Sequence, residues 1–300
     1  MAQTRVPYTL LLTRQTFRML GLLAPAIAAA WAYRIWSSTR RFRESEHDKR
    51  WRQQAQLQML EHEYGKIAVY RWGETDKPVV VCVHGWNGRA SQFATMLPAL
   101  LKAGYQVIAF DAPGHGNSEG KSANIFRISD VLKSVVTPYS SIQAIISHSF
   151  GGMVSAYAVR HLGVSVDRLI MIASPVSTQY LMDMFAESLG INQRVMKRFD
   201  KKIRHEFGED VYERISAEQN LKNSELPILL IHDKQDKAVS WRNSECIVKA
   251  ASNAVAIYTE GHGHRRLLRD KKLIKQIVIF IKSGTVITGL SHQIDTEEKV

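Results

Sequence analysis

The residues with the most chemical content lie in the run Ala144 to Gly152, which reads AIISHSFGG. A short apolar run ends there in a serine set among small residues, and a segment typical of a helix follows. This arrangement places Ser149 on a tight strand-to-helix turn with its hydroxyl in solvent. Backbone N–H groups at the start of the helix would face any oxyanion formed beside it. The pattern predicts that Ser149 is a nucleophile.

A serine hydroxyl needs a base within hydrogen-bond reach, and that base needs a carboxylate to hold its tautomer. His264, in TEGHGHRRLL between the predicted strand AVAIYTE and the last predicted helix, is the favoured base, and His262 in the same loop competes with it. For the acid, Asp236 in HDKQDKAVSW is preferred to Asp233, which suits an Asx turn at the strand end. The chain order nucleophile, acid, base is the one expected of this architecture.

An oxyanion needs two backbone donors. The N–H of Phe150, next to the serine, is predicted to be one of them. The other is assigned by position to Trp86 in HGWNG, after the apolar run VVVCVHG. Gly85 and Gly88 let that backbone approach closely. We interpret His84 as a structural residue that holds this loop.

Two other chemistries are disfavoured. The glycine-rich run from Asp111 to Gly120, DAPGHGNSEG, follows a predicted strand but lacks the Lys-Ser/Thr pair of a phosphate-binding P-loop. It is interpreted as a tight turn that shapes one wall of the site. The eleven histidines include no HExxH pair or other metal-ligand spacing. No cofactor and no metal are expected.

The elements that must position these residues alternate along the chain. KIAVYRWG and KPVVVCVHG predict a hairpin that enters a sheet, and apolar runs then alternate with amphipathic segments down to a final helix from Arg265 to Lys282. Continuous apolar runs separated by amphipathic helices predict an α/β fold with a mostly parallel sheet covered on both faces.

The alternation breaks after Pro175. Two helices are predicted, Tyr180 to Leu189 and Gln193 to Phe207, with no strand between them, which indicates an inserted helical cap at about 175–226. The polar stretch from Arg40 to Gln56 reads as a linker. The predicted units are a basic N-terminal arm (1–56), an α/β domain carrying the cap (57–284) and a polar tail (285–300).

The net charge of +12 is concentrated near the N-terminus, where residues 1–52 carry ten Lys or Arg against three acids. Within this arm, Met19 to Tyr33 has fifteen uncharged residues, with Pro25 in the middle, whereas a bilayer core needs about 20 helical residues. Four interpretations compete: a snorkelling anchor, an interfacial helix, a cleaved signal peptide, and a helix docked on the protein itself, which is favoured. No nucleic-acid motif is present, so a membrane surface touched through residues 5–43 is the preferred macromolecular partner.

The two cysteines, Cys82 and Cys246, form no closely spaced pair. Both are interpreted as reduced core residues, which favours a reducing compartment. The expected location is therefore cytoplasmic, with association at the inner face of the membrane. The oligomeric state is left open.

From about Lys66 to about Lys282 the chain resembles the α/β-hydrolase superfamily, and five motifs in order carry this resemblance: HGWNG, DAPGHG, SHSFGG, HDKQD and GHGH. Within the superfamily it resembles bacterial hydrolases of general esterase type. The resemblance implies an eight-stranded, mostly parallel sheet, a cap after the sixth strand, and a triad of Ser149, Asp236 and His264. One position departs from the family pattern, because Ser147 stands where glycine is usual two residues before the nucleophile.

Together the residues and the resemblance predict a cofactor-independent serine hydrolase acting on a small carboxylic ester or acyl substrate. The alternatives are a lipase, a thioesterase or a C–C hydrolase on the same scaffold, since fold does not separate these chemistries. A further alternative is a catalytically silent, membrane-associated binding protein.

Overall fold

A computed structural model of the chain describes residues 7–286. Thirteen helices lie in this part of the chain: α1 (Tyr8–Leu23), α2 (Pro25–Ser37), α3 (Glu46–Gln53), α4 (Leu97–Lys102), α5 (Ile125–Val136), α6 (Phe150–His161), α7 (Thr178–Leu189), α8 (Gln193–Phe207), α9 (Val211–Arg214), α10 (Ala217–Leu221), α11 (Arg242–Ala250), α12 (Gly263–Arg266) and α13 (Lys271–Ser283). The strands are β1 (Gln56–Leu60), β2 (Ile67–Trp72), β3 (Val79–Val83), β4 (Gln106–Phe110), β5 (Ala144–His148), β6 (Leu169–Ile172), β7 (Ile228–Asp233) and β8 (Ala254–Thr259).

The eight strands form one sheet in the order β1-β2-β4-β3-β5-β6-β7-β8. The pairings of β2 with β1 and with β4 are antiparallel, and every pairing from β4 to β8 is parallel. Strands β3 to β7 are buried along their whole length, because helices cover both faces of a parallel sheet and leave no side for polar residues. The predicted α/β fold with an eight-stranded, mostly parallel sheet is confirmed.

Contacts divide the described chain into two compact units. The sheet unit contains residues 39–176 and 215–286, and therefore all eight strands. The helical unit contains residues 7–38 and 177–214, so helices α1 and α2 share a unit with α7, α8 and α9 of the predicted cap. Helix α10, also within the predicted cap, belongs to the sheet unit.

The helical unit is organised by Pro25, which lacks an N–H to continue α1 and starts α2 at its first position. The apolar segment from Met19 to Tyr33 is therefore divided between two helices. Phe17 is fully buried and stacks on Trp31, with ring centroids 4.3 Å apart. Helix α2 packs along α8 in the same unit. Across residues 7–286, none of the helices combines the length and hydropathy needed to cross a membrane.

Three local predictions are wrong. The predicted hairpin of β2 with β3 does not form, because β4 lies between them and β2 instead pairs with β1, which begins at Gln56, where the predicted linker ends. Strand β1 is almost wholly exposed, so it carries no buried periodicity. The final helix is interrupted at Asp270, whose side chain caps α13. Cys246 is exposed on α11 rather than in the core.

Candidate active site

The turn between β5 and α6 carries Ser149 in a strained conformation, with φ 54° and ψ −126°. Backbone strain of this kind costs about 1–3 kcal/mol and persists only where the surroundings enforce it. Here the Ser149 N–H donates to Ile172 O at 2.8 Å. A Cβ on Gly151 would collide with the carbonyl oxygen of Val83, and one on Gly152 with the Ser174 hydroxyl. These two glycines let α6 begin directly against the sheet, so the turn is held tightly.

The serine at the usual glycine position fits this turn. Ser147 is fully buried in β5, and its hydroxyl donates to the carbonyl oxygen of Ile170 on β6 at 2.9 Å. A buried hydroxyl costs free energy unless it finds an acceptor, and here it has one. The departure from the family pattern is therefore accommodated without loss of the strand-to-helix turn.

Asp236 and His264 are hydrogen-bonded at the neighbouring edge of the sheet. Asp236 lies on the loop after β7 and His264 on α12, which follows β8, and Asp236 Oδ2 is 2.7 Å from His264 Nδ1. The Asp236 side chain is fully buried, whereas that of His264 is 18% exposed. The other carboxylate oxygen, Oδ1, accepts the N–H groups of Ala238 and Val239 at 2.8 and 3.0 Å.

Burial alone would raise the pKa of Asp236. Hydrogen bonds from His232 and His264, together with the Val239 N–H, outweigh burial and hold this pKa below its ordinary value. The group is therefore a carboxylate at neutral pH, and it holds the Nδ1 proton of His264. That leaves Nε2 of the ring as the acceptor available to a substrate or a nucleophile.

The competing residues of these loops have other partners. Asp233 accepts the Gln235 N–H at 3.0 Å with one oxygen and the His262 N–H at 2.9 Å with the other. His262 Nε2 is 2.8 Å from Asp270. Asp233 thus ties together the loops that carry Asp236 and His264, and His262 pairs with the residue that caps α13.

Two buried histidines that were not predicted to be site residues contact Asp236 and His264. His232, on β7, has Nδ1 2.7 Å from the Ser244 hydroxyl, and its Nε2 lies 3.0 Å from Val239 O and 3.3 Å from Asp236 Oδ2. It therefore braces the loop of the acid. His148 donates from Nε2 to the backbone carbonyl of His264 at 2.9 Å, and the two rings are 4.9 Å apart.

Burial lowers the pKa of His148 to about 3, so this ring is neutral when it donates to His264. Because His148 directly precedes Ser149, the nucleophile turn and the α12 loop are joined through it. Within residues 7–286, no hydrogen bond links the Ser149 hydroxyl to the His264 ring. Catalytic hydrogen bonds are often long in ligand-free enzymes and shorten in complexes.

The loop that carries Trp86 is held by neutral imidazoles. His84 donates from Nδ1 to Gly85 O at 2.7 Å and accepts the Ala112 N–H on Nε2 at 2.9 Å. His115 accepts the Asn87 N–H at 3.0 Å. Burial lowers the pKa of His84 to about 4 and that of His115 to about 3, so both can accept these bonds at neutral pH.

This loop lies against the nucleophile. A Cβ on Gly85 would come within 2.8 Å of Ser149 Cβ and 3.0 Å of His148 O. The rings of Trp86 and Phe150 meet edge to face at 5.4 Å. The two predicted N–H donors therefore belong to residues in mutual contact beside the Ser149 hydroxyl.

A sequence signal for the two missed histidines does exist. Both His148 and His232 are polar residues in mostly apolar strands, near the carboxyl ends where an α/β sheet collects its site. The sequence does not show which atoms these two side chains contact. Among the described residues, no group of three or more His, Cys, Asp or Glu side chains is placed to hold a metal ion.

Known proteins resemble this chain in both sequence and structure. Residues 78–206 match the family model for the alpha/beta hydrolase fold. A human serine hydrolase-like protein is 32% identical over 118 residues, which cover 38% of this chain and 58% of that protein. The bifunctional esterase/perhydrolase DCH of Acinetobacter calcoaceticus is 30% identical over 110 residues, 34% of this chain and 39% of that protein.

A membrane phospholipase A, described as a bacterial virulence factor, has a solved structure that superimposes with a TM-score of 0.61, covering 92% of this chain and 97% of that one. Its sequence identity is 15%, so this likeness shows the fold alone. The chain spans little more than half of the human relative and less than half of the Acinetobacter one.

Proposed function

Because residues 78–206 match the family model for the alpha/beta hydrolase fold, we propose that this chain is a serine hydrolase of the α/β-hydrolase superfamily and that it cleaves carboxylic esters. Its reaction passes through an acyl-enzyme on Ser149, with His264 as general base and Asp236 as the residue that orients it. The substrate is a small-molecule ester or acyl compound. The esterase named among its relatives supports this choice of substrate class.

In the first step the Ser149 oxygen attacks the acyl carbon while Nε2 of His264 takes its proton. The carbonyl oxygen becomes an oxyanion that accepts the N–H groups of Trp86 and Phe150. The intermediate collapses, and the alcohol leaves with the proton from His264. A water molecule, deprotonated by the same ring, then attacks the acyl-enzyme and releases the carboxylic acid. Asp236 stabilises the imidazolium in both steps.

One observation carries this proposal: a serine held at φ 54° on a strand-to-helix turn lies at the sheet edge where a buried carboxylate is 2.7 Å from a histidine. The contact between His148 and the His264 backbone joins the two halves of this arrangement. Held neutral by burial, His148 keeps this contact across the physiological pH range.

Labelling with a fluorophosphonate probe, which reacts only with an activated serine, tests the proposal on the full chain. We expect the wild type to label and Ser149→Ala to remain unlabelled. His264→Asn and His262→Asn form a matched pair two residues apart, and only the first is expected to abolish labelling. A folded wild type that does not label, or equal loss in the two histidine variants, would overturn the assignment. A panel of p-nitrophenyl esters and acyl-CoA thioesters then separates an esterase from a lipase or thioesterase.

We further propose that residues 5–43 contact a membrane surface, at the inner face of the cell membrane; residues 5 and 6 lie outside the described part of the chain. One face of α1 supports this contact, because its large apolar residues recur at helical spacing and all point to solvent. They are Tyr8, Leu11, Leu12, Met19, Leu22 and Leu23.

Point variants test this contact without removing a helix. The double variant Leu22→Ser, Leu23→Ser is expected to move the protein from the membrane fraction of a cell lysate to the supernatant. Leu57→Ser is the matched control, because Leu57 is an exposed leucine in the sheet unit. Identical distributions of wild type and double variant would refute the contact.

A further inference from the structure

Helix α8 presents a row of four basic residues on one face. The row consists of four exposed residues spaced three, one and three positions apart: Arg198, Lys201, Lys202 and His205. This spacing places them on a single face of the helix. They line a groove of about 440 Å³ within the helical unit.

The opposite wall of the groove is apolar and small. It consists of Ala26, Ala29 and Ala30 of α2, which share a face of that helix for the same reason of spacing. Methyl groups offer no hydrogen bond to a ligand, but they let a bulky group approach the cations closely. The groove therefore has one cationic wall and one smooth apolar wall.

No carboxylate in the described chain lies within ion-pair distance of these four side chains. The acids of α8 are engaged elsewhere, since Asp200 pairs with Arg204 and Glu206 accepts from the Tyr33 hydroxyl. The Lys202 ammonium lies over the Tyr33 ring, 4.6 Å from its centroid, and makes no ion pair within residues 7–286. Like charges at these spacings repel one another on a helix. An anion in the groove would remove this repulsion.

The surroundings indicate what kind of anion. Leu22 and Leu23 lie shortly before the alanine wall in sequence and Ile27 lies within its span, and all three are more than 60% exposed. Apolar side chains beside a basic groove match the two parts of a lipid, acyl chain and charged headgroup, and a nucleic acid would leave the apolar residues in water.

We propose that the groove between α2 and α8 binds the phosphate headgroup of an anionic phospholipid at a bilayer surface. This inference rests on the proposed membrane contact of the N-terminal segment and adds its lipid specificity. The α1 face supplies apolar insertion, whereas Arg198, Lys201 and Lys202 supply selectivity for negative charge.

Vesicle co-sedimentation of the full chain tests the proposal, with phosphatidylcholine vesicles compared with vesicles that also contain phosphatidylglycerol. The wild type is expected to bind the mixed vesicles more tightly. The triple variant Arg198→Gln, Lys201→Gln, Lys202→Gln should lose on the order of 100-fold in affinity for them, because each cation near an anionic surface contributes to binding. Its preference for phosphatidylglycerol should disappear, and circular dichroism checks its fold.

The matched control removes the same charge from the sheet unit. Lys271, Lys272 and Lys275 are exposed on α13, and their replacement with glutamine is expected to change vesicle affinity by less than about threefold. Equal losses in the two triple variants would mean that net charge alone acts, and would overturn the headgroup site.

The remaining outcomes separate this site from the membrane contact. Equal binding of the wild type to both kinds of vesicle would overturn the headgroup site and leave the membrane contact standing. Binding to neither would overturn both. An RNA oligonucleotide that displaces the protein from the mixed vesicles, and whose binding is lost in the groove variant, would assign the groove to nucleic acid instead.

Discussion

Replacing Asp236 with asparagine removes one charge and almost no volume, and the structure dictates which way the new amide must face. The carboxylate oxygen Oδ1 accepts the N–H groups of Ala238 and Val239. An amide nitrogen cannot accept them, so the asparagine oxygen must take this place. Its NH2 group then occupies the position of Oδ2, 2.7 Å from His264 Nδ1.

An NH2 group at that position donates to Nδ1 of His264, so the ring must carry its proton on Nε2. In that tautomer the ring cannot accept the Ser149 proton. The corresponding substitution in serine proteases lowers kcat by about 10⁴-fold, and we expect a loss of this order here. It corresponds to about 5 kcal/mol of transition-state stabilisation. The KM for a p-nitrophenyl ester should change little, because Asp236 does not touch the acyl group.

The chain supplies a matched control in Asp270, which pairs with His262 at 2.8 Å through one oxygen and accepts the Leu273 N–H with the other. Asp270→Asn therefore also forces a change of tautomer, here from Nε2 to Nδ1, on a histidine two residues from His264. Its kcat should stay within about tenfold of the wild type. The reasoning is refuted if Asp236→Asn, folded as judged by its thermal melt, keeps wild-type kcat, or if Asp270→Asn loses as much.

Three further outcomes follow from burial and close contact. Burial lowers the pKa of His84 from 6.5 to about 4, so in this pH range the unfolded chain binds a proton at His84 and the folded chain does not. The His84 contribution to the free energy of unfolding should therefore fall by about 3 kcal/mol as the pH drops from about 6.5 to about 4, in addition to any contribution from the other buried histidines. Urea denaturation measures this fall, which should shrink in His84→Gln. Gly151→Ala drives a methyl group against the Val83 carbonyl and should abolish fluorophosphonate labelling; full labelling would contradict the tight turn. Phe17→Ala removes a fully buried ring stacked on Trp31 and should cost about 3–5 kcal/mol of stability by denaturant titration, whereas a loss below about 1 kcal/mol would show that this contact is weak.

The sheet could be predicted because most of its strands are continuous apolar runs, and this pattern is visible in the sequence without knowledge of how the side chains pack. Ser149 stood out for a local reason too, since the strand, the small residues and the helix all lie within nine consecutive positions. Strand β1 could not be found in this way. Its side chains face water, and only its hydrogen bonds to β2 make it a strand.

The contacts of the buried histidines depend on distances that no spacing encodes. His148 and His264 are 116 residues apart, and their hydrogen bond exists only once β5 and β8 lie in one sheet. The choice between His262 and His264 shows the same limit. Both lie in the short segment that follows β8, and their partners, Asp270 and Asp236, lie on opposite sides of it in the chain.

The shared unit of α1 and α2 with α7 and α8 bears on how shortened forms of this protein will behave. Trp36 of α2 lies edge to face against Phe185 of α7 and Phe199 of α8, with ring centroids 5.2 and 5.8 Å apart. A chain begun at residue 39 keeps both phenylalanines and discards the ring that covers them. Such a form is expected to aggregate and to have low stability in solution. A loss of its vesicle binding would therefore not test the lipid site.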